Sequence, residues 1–297
     1  MNSYMTNCDY RDNEKQSSNF SVKICKESPD WIQFGWNNSN KVIYGPVSSR
    51  RLGKSLGVNL FPKGKICSFS CTYCDLDTEE IDDSPPKIVQ HEHILYAVQK
   101  ELELFCDTDF PIDSITFAGN GEPTLHPDFA RLVEQSASIR DCCLPTIPMN
   151  VFTNCMHLHN KDVFESLKYF RRVFLKLDAV TRDIIEKIDG KGSYRGVENA
   201  VKIGQKIDNA AISTVVVDGS ISNFSNLLSN TYVDYVKTIN PKELYFYTLD
   251  YPVPIPGIKA VSLDNLSYLG QAIAEKVECS VIVLWRKYQH PSVKLQR

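Results

Sequence analysis

The chain lacks any apolar run of about 18 residues, so no membrane-spanning helix is expected. Its first residues, Met1-Asn-Ser-Tyr-Met-Thr-Asn-Cys8, hold no apolar signal core. Neither charge dominates: 33 Lys and Arg stand against 36 Asp and Glu, leaving −3. That balance implies no global pull toward nucleic acid or a membrane surface. Ten cysteines without a secretion signal point to a reducing cytosol, and to thiolate ligands rather than disulfides. The expected location is therefore cytoplasmic. No second close cysteine pair offers zinc-finger spacing: Cys142 and Cys143 are adjacent, and His157 and His159 lie far along the chain. What remains is ordinary, with 42% hydrophobic and 23% charged residues over 297 positions. A chain this long buries about 75% of its unfolded surface, enough for a sizeable core.

Against that background one cluster stands out, Cys67-Ser-Phe-Ser-Cys71-Thr-Tyr-Cys74. Three thiolates spaced C-x3-C-x2-C can hold three irons of a 4Fe–4S cubane, which otherwise takes four cysteines. The remaining iron is then open to a ligand that is not protein, as in catalytic rather than structural zinc sites. A zinc site and buried unliganded cysteines are the alternatives. Zinc needs a partner pair, and a Gly/Lys/Ser-rich loop is a poor place to pack a core.

The triplet, with Tyr73 just before its last cysteine, resembles the radical S-adenosylmethionine (SAM) superfamily. The stretch Gly45-Pro-Val-Ser-Ser-Arg-Arg-Leu-Gly-Lys-Ser-Leu-Gly-Val-Asn59 resembles the branch of wyosine-type tRNA-modifying enzymes and their bacterial relatives. The resemblance runs from about Gly45 to about Val277. It implies one 4Fe–4S cluster on Cys67, Cys71 and Cys74, with SAM chelated at the open iron. It implies reductive cleavage of SAM to methionine and a 5′-deoxyadenosyl radical, which abstracts hydrogen from a substrate.

Periodicity supports a matching architecture. Strand-like stretches at 56–61, 114–118, 150–153, 173–177, 211–217 and 244–249 alternate with helix-like stretches at 90–105, 128–136, 162–170, 181–188, 196–207, 224–239 and 263–277. Asn160 and Ser262 are expected N-caps. Residues 280–285 read as a last, peripheral strand. Alternation implies parallel strands with right-handed crossovers. The expected fold is α/β, an open partial (β/α)6 barrel spanning 45–285, with a polar extension at 1–44 and a tail at 286–297. Trp31, Phe34 and Trp36 are expected to dock on the main body. Ligands in such folds bind beyond the carboxyl ends of the strands.

The remaining motifs follow strands. After the second comes Ala118-Gly-Asn-Gly-Glu-Pro-Thr-Leu125; by resemblance to the superfamily's Gly-Gly-Glu motif, Gly121 and Glu122, with Gly119, contact the SAM amino group. After the third comes Phe152-Thr-Asn-Cys155, where Thr153 and Asn154 can bond a ribose or carboxylate. Relatives carry glycine where Cys155 stands, so a left-handed backbone is not expected there; a small buried residue is the expected role. After the fourth, Lys176 and Asp178 share one face of their strand and suit carboxylate and ribose contacts, or a salt-linked pair. Tyr73 is expected to line the adenine pocket.

Residues 41–66 carry Lys41, Arg50, Arg51, Lys54, Lys63 and Lys65 and no acid; Asp75, Asp77, Glu79, Glu80, Asp82 and Asp83 follow the cysteines. The basic run suits RNA phosphates, an acidic flavodoxin-like donor, the acidic run or plain solvent. Expected partners are SAM, a reduced flavodoxin- or ferredoxin-like electron donor and an RNA substrate. Tyr245, Tyr247 and Tyr251 are candidate base-stacking residues, with a core-facing role the alternative for Tyr245 and Tyr247, and the proline-rich loop Asp250–Gly257 is a candidate gate or a surface connector. Wyosine-type enzymes carry a second cluster on N-terminal cysteines, but only Cys8 and Cys25 precede this motif. Peptide-maturing enzymes, a second class, often carry C-terminal cysteine clusters, and only Cys279 lies there. A non-catalytic iron–sulfur or zinc protein is the third class.

Overall fold

The computed structural model describes residues 8–11, 19–25, 40–74, 76, 88–106, 108, 111–250, 253 and 255–286. Strands β1 (Cys8–Arg11), β2 (Phe20–Cys25), β3 (Ile43–Ser49) and β4 (Gly53–Val58) precede the cysteine loop. Alternation follows with α1 (His91–Cys106), β5 (Ser114–Phe117), α2 (Phe129–Cys143), β6 (Met149–Thr153), α3 (Lys161–Ser166) and β7 (Arg172–Lys176). Then come α4 (Arg182–Asp189), α5 (Tyr194–Gly204), β8 (Ala210–Val215), β9 (Val217–Gly219), α6 (Phe224–Leu227) and α7 (Asn230–Ile239). The last elements are β10 (Glu243–Tyr247), β11 (Ile258–Ala260), α8 (Leu263–Ala274) and β12 (Ser280–Arg286). The fold class is the expected one, α/β with the parallel strands and helical crossovers of an open partial (β/α)6 barrel.

The chain divides into two compact units. The Cys67 unit comprises Pro29–Ser68 and Thr78–Phe174; the Tyr73 unit comprises Met1–Ser28, Phe69–Asp77 and Leu175–Arg297. In the Cys67 unit the strand order is β6-β5-β4-β3, parallel except for the antiparallel β3/β4 hairpin. All four residues of β5 are buried. Phe117, Phe129 and Phe170 meet there with ring centroids 5.4–6.4 Å apart, each pair adding about 0.5–1.5 kcal/mol beyond its buried area.

In the Tyr73 unit the order is β1-β2-β12-β10-β8, parallel from β2 to β8 with β1 antiparallel at the edge. Strand β8 is buried on both faces, as parallel strands under helices are. Tyr232 is buried beside it and shares a 2.8 Å hydrogen bond with Thr214. Strands β9 and β11 form a separate two-stranded ladder.

Four expectations are corrected. The stretch read as a polar extension contains β1 and β2, and Cys8 stands opposite Cys25 in their register. The strand read as peripheral, β12, lies between β10 and β2. The helix read over 224–239 is broken at Ser229, whose hydroxyl accepts from Tyr232 N and caps α7; local capping outweighs apolar periodicity there. The helix read over 162–170 ends at Ser166 and continues as one 3₁₀ turn, Leu167–Tyr169. Asn160 and Ser262 are N-caps as expected. Trp31, Phe34, Trp36, Tyr251 and the acidic residues at 75 and 77–83 lie outside the described residues.

Candidate functional site

The cysteine loop begins in the Cys67 unit and ends in the Tyr73 unit. In the Cys67 unit, β4 leaves the sheet at Asn59, whose side-chain oxygen accepts from the N–H groups of Phe61 and Asn120, both at 3.0 Å. Asn120 returns a bond to Phe61 O at 3.2 Å. The Gly-Asn-Gly-Glu loop is thereby tied to the start of the cysteine loop. A parallel bridge completes the tie: Ile66 N donates to Asn120 O at 3.0 Å, and Glu122 N to Ile66 O at 2.9 Å. Gly121 permits this approach, at φ +131° with the Ile66 carbonyl where a Cβ would sit. Gly119 likewise leaves room for the Asn59 side chain. Both predicted glycines therefore have a packing reason for being glycine.

Glu122 is buried, and its carboxylate accepts four hydrogen bonds. Oε1 takes Thr124 N (3.2 Å), Thr124 Oγ1 (2.6 Å) and Thr153 Oγ1 (2.7 Å), while Oε2 takes Asn154 N (2.6 Å). Burial pushes its carboxyl above the ordinary range against the pull of those donors. Three of the predicted residues, Glu122, Thr153 and Asn154, thus form one contact set. The Asn154 amide reaches on to Ser68 Oγ at 2.9 Å and Cys67 Sγ at 3.8 Å.

Cys155 corrects an expectation. It adopts φ +68°, the left-handed conformation, although it is not glycine. Two side chains turn the chain there: Thr153 Oγ1 accepts from Cys155 N (3.1 Å), and Asn154 Oδ1 from Met156 N (3.1 Å). Its thiol is buried and points to Thr153 O. Cys155→Val places a β-branched residue at a positive φ and is expected to cost about 1–3 kcal/mol. Denaturant midpoints check this, and a Val variant as stable as the parent removes the strain argument.

In the Tyr73 unit the loop is held by main chain. Ser70 N donates to Asp189 O (3.1 Å), Thr72 N to Ile188 O (2.7 Å) and Cys74 N to Cys71 O (3.0 Å). Gly190, at φ +93°, lies against Ser70, whose hydroxyl would collide with any Cβ there. Tyr73 inserts beside a core of Ile188, Val215, Val217, Leu249 and Ile258. Its hydroxyl bonds Asp178, and the Lys176 ammonium contacts both Tyr73 and Asp178.

Lys176 also lies 2.9 Å from Asp189 Oδ1, an ion pair without hydrogen-bond alignment. Burial opposes the Lys176 charge, yet Asp178, Asp189 and Cys71 hold its pKa well above the ordinary lysine value. One cation does not neutralise two carboxylates. Asp178 keeps extra donors, including Val215 N at 2.8 Å, and burial pushes Asp189 up to about 7. Tyr73 is raised well above its ordinary value by burial and then by Asp178. Tyr73, Lys176 and Asp178 are therefore a mutually satisfied cluster, with Asp178 buried and the other two partly so. Asn223 is buried too, bonding Val217 N, Asp178 O and Val215 O at 2.7–3.0 Å.

The three motif cysteines are partly exposed and free of disulfides. Among the described residues no three His, Cys, Asp or Glu side chains converge on one ion position. The donor set of three soft thiolates fits the cluster. The family model for the radical SAM superfamily matches residues 61–220. The chain belongs to the radical SAM superfamily.

The chain is similar to a UPF0026 protein of Helicobacter pylori, 29% identical over 228 residues, 76% of this chain and 71% of that one. A solved structure of TYW1 with a lysine-pyruvate adduct bound has a similar fold: TM-score 0.54, 15% identity, 76% of each chain covered. SuiB of Streptococcus suis bound to S-adenosylmethionine is similar at TM-score 0.54 and 18% identity, over 77% of this chain and 50% of that one. At these identities the two structures speak for the radical SAM fold alone.

Sequence reasoning missed Asn59 as a partner of Asn120, and Asp189 and Gly190 as the support of the loop. Asp189-Gly190-Lys191-Gly192 after α4 was legible as a helix stop, but not what it holds. Other expected contacts fall away. Tyr245 is buried in the core, and Arg51 packs its guanidinium over the Phe152 ring at 5.3 Å. No helix among the described residues is long and apolar enough to cross a membrane.

Proposed function

We propose that this chain is a radical SAM iron–sulfur enzyme whose substrate is an RNA base. One observation supports the catalytic part above the rest. The loop bearing Cys67, Cys71 and Cys74 is pinned by main-chain bonds at Ile66, Ser70 and Thr72, while its thiols are partly exposed and in no disulfide. Structural cysteines are ordinarily buried and inert. The three thiolates would hold a 4Fe–4S cluster and leave one iron for the amino and carboxylate groups of SAM. When bound, the cluster supplies the electron that cleaves SAM to methionine and a 5′-deoxyadenosyl radical, which takes hydrogen from the substrate.

The protein's own share is holding and orienting. Glu122 Oε2 accepts from Asn154 N, and a carboxylate oxygen keeps a second lone pair for a donor such as an ammonium group. Thr153 and Asn154 fix that carboxylate. Tyr73, Lys176 and Asp178 hold one another through the Tyr73 hydroxyl and the Lys176 ammonium.

Anaerobic reconstitution tests this. The expected result is about four irons and four sulfides per chain, with 5′-deoxyadenosine released on reduction with SAM. Zinc without sulfide, or a reduced cluster that leaves SAM intact, sinks the reading.

The RNA reading rests on the basic segment, where Lys41, Lys54 and Lys63 are exposed and Lys65 is half-buried two residues before Cys67. The double variant Lys63→Glu/Lys65→Glu is expected to weaken tRNA binding about tenfold or more at low salt and to flatten its salt dependence. Unchanged affinity and slope would remove the basic-segment argument.

A further inference from the structure

We infer that Asn154 is a positioning residue for Cys67: its side-chain amide donates to the cysteine sulfur and so sets the potential of the cluster that sulfur would hold. This rests on the radical SAM reading and deepens it. The orientation of the amide follows from chemistry. The backbone N–H of Met156 can only donate, and it lies 3.1 Å from Asn154 Oδ1. The oxygen of the amide therefore faces Met156, and the NH2 faces the cysteine loop. There Nδ2 meets Ser68 Oγ at 2.9 Å and Cys67 Sγ at 3.8 Å, one hydrogen for each.

Nor is the amide free to swing away. Asn154 is 6% exposed. Its own backbone N–H is bound to Glu122 Oε2 at 2.6 Å, and Glu122 N is bound to Ile66 O, one residue before Cys67. A closed circuit of Ile66, Glu122, Asn154 and Cys67 thus fixes donor and sulfur against each other. An N–H aimed at a thiolate ligand stabilises negative charge on sulfur, and the reduced cluster carries more of it than the oxidised one. Hydrogen bonds to ligand sulfurs are among the factors that set cluster potentials. Asn154 would therefore raise the midpoint and ease the electron's entry.

Two substitutions separate this from a packing role. Asn154→Ala removes the donor. Asn154→Asp keeps the shape and the acceptor for Met156 N but turns a carboxylate oxygen toward the sulfur. The experiment is a midpoint titration of the reconstituted protein followed by electron paramagnetic resonance, with circular dichroism to confirm folding. The expected order of midpoints is wild type, then Ala, then Asp lowest. Equal midpoints in all three, or an equal fall in both variants, overturns the inference.

Should either variant hold too little iron to titrate, iron content is read in the same order. Asp at or above Ala then overturns it. Ser68→Ala keeps the amide and is expected to titrate at or above wild type; a fall matching that of Asn154→Ala overturns the assignment. Failure of wild type to load a cluster would instead refute the enzyme reading, a distinct result.

Discussion

Gly121→Ala is expected to unseat the cysteine loop. At φ +131° any Cβ is strained, and here it would stand 1.8 Å from Ile66 O and 2.5 Å from Ile66 C. Both obstacles are main chain, so no rotamer relieves them. Either Ile66 moves, breaking the 2.9 Å bond from Glu122 N, or Gly121 moves and drags Glu122 from its donors. Backbone strain costs about 1–3 kcal/mol, and a buried amide left without its partner about 1–3 kcal/mol more. The sum is a large share of an ordinary folding free energy of about 5–15 kcal/mol. Because Cys67 directly follows Ile66, the loss should register twice, as a lower melting temperature and as reduced iron after reconstitution. A Gly121→Ala protein that melts and loads iron like wild type would show that the bridge is dispensable.

Lys176→Met is expected to destabilise the Tyr73 unit about as strongly. The methionine fills most of the lysine volume, so the change is chiefly electrostatic. Lys176 is 17% exposed at its side chain, while Asp178 and Asp189 are 0% and 1% exposed. Removing the cation leaves two buried carboxylates without it, and breaking a buried pair in this way costs about 3–5 kcal/mol. Adding Asp189→Asn is expected to recover part of that loss, since it removes a buried negative charge that burial already disfavours, pushing the Asp189 carboxyl up to about 7. Denaturant unfolding of both single variants and the double settles it. Full additivity would show that Lys176 and Asp189 do not interact.

Much of this was legible in the chain because local chemistry and tertiary need agree. The cap residues Asn160 and Ser262 start their helices where side-chain oxygens accept the first free N–H groups. The strands came from runs such as Ala210–Val215, whose every residue is buried. Phe20–Cys25 escaped notice because it sits among polar residues and gains its strand from β12, more than 250 positions away. Asp189 escaped because a carboxylate on a helix reads as solvent-facing, and only the fold brings Lys176 to it. Cys155 was misjudged because residue type argued against a left-handed angle, while the Thr153 and Asn154 side chains impose it.

The main-chain bonds at Ser70 and Thr72 carry a consequence for how such a protein drifts. Carbonyls of Ile188 and Asp189 grip amide groups that every residue but proline possesses. Ser70 and Thr72 are thus specified by their place in the loop more than by their identity, whereas Phe69 is buried and Tyr73 is tied to Asp178. Ser70 is solvent-exposed, and the Thr72 hydroxyl has no hydrogen-bond partner among the described residues. A lineage can rewrite these letters freely while an insertion of one residue would throw every later thiol out of phase. What is inherited at these two positions is a ruler rather than a word.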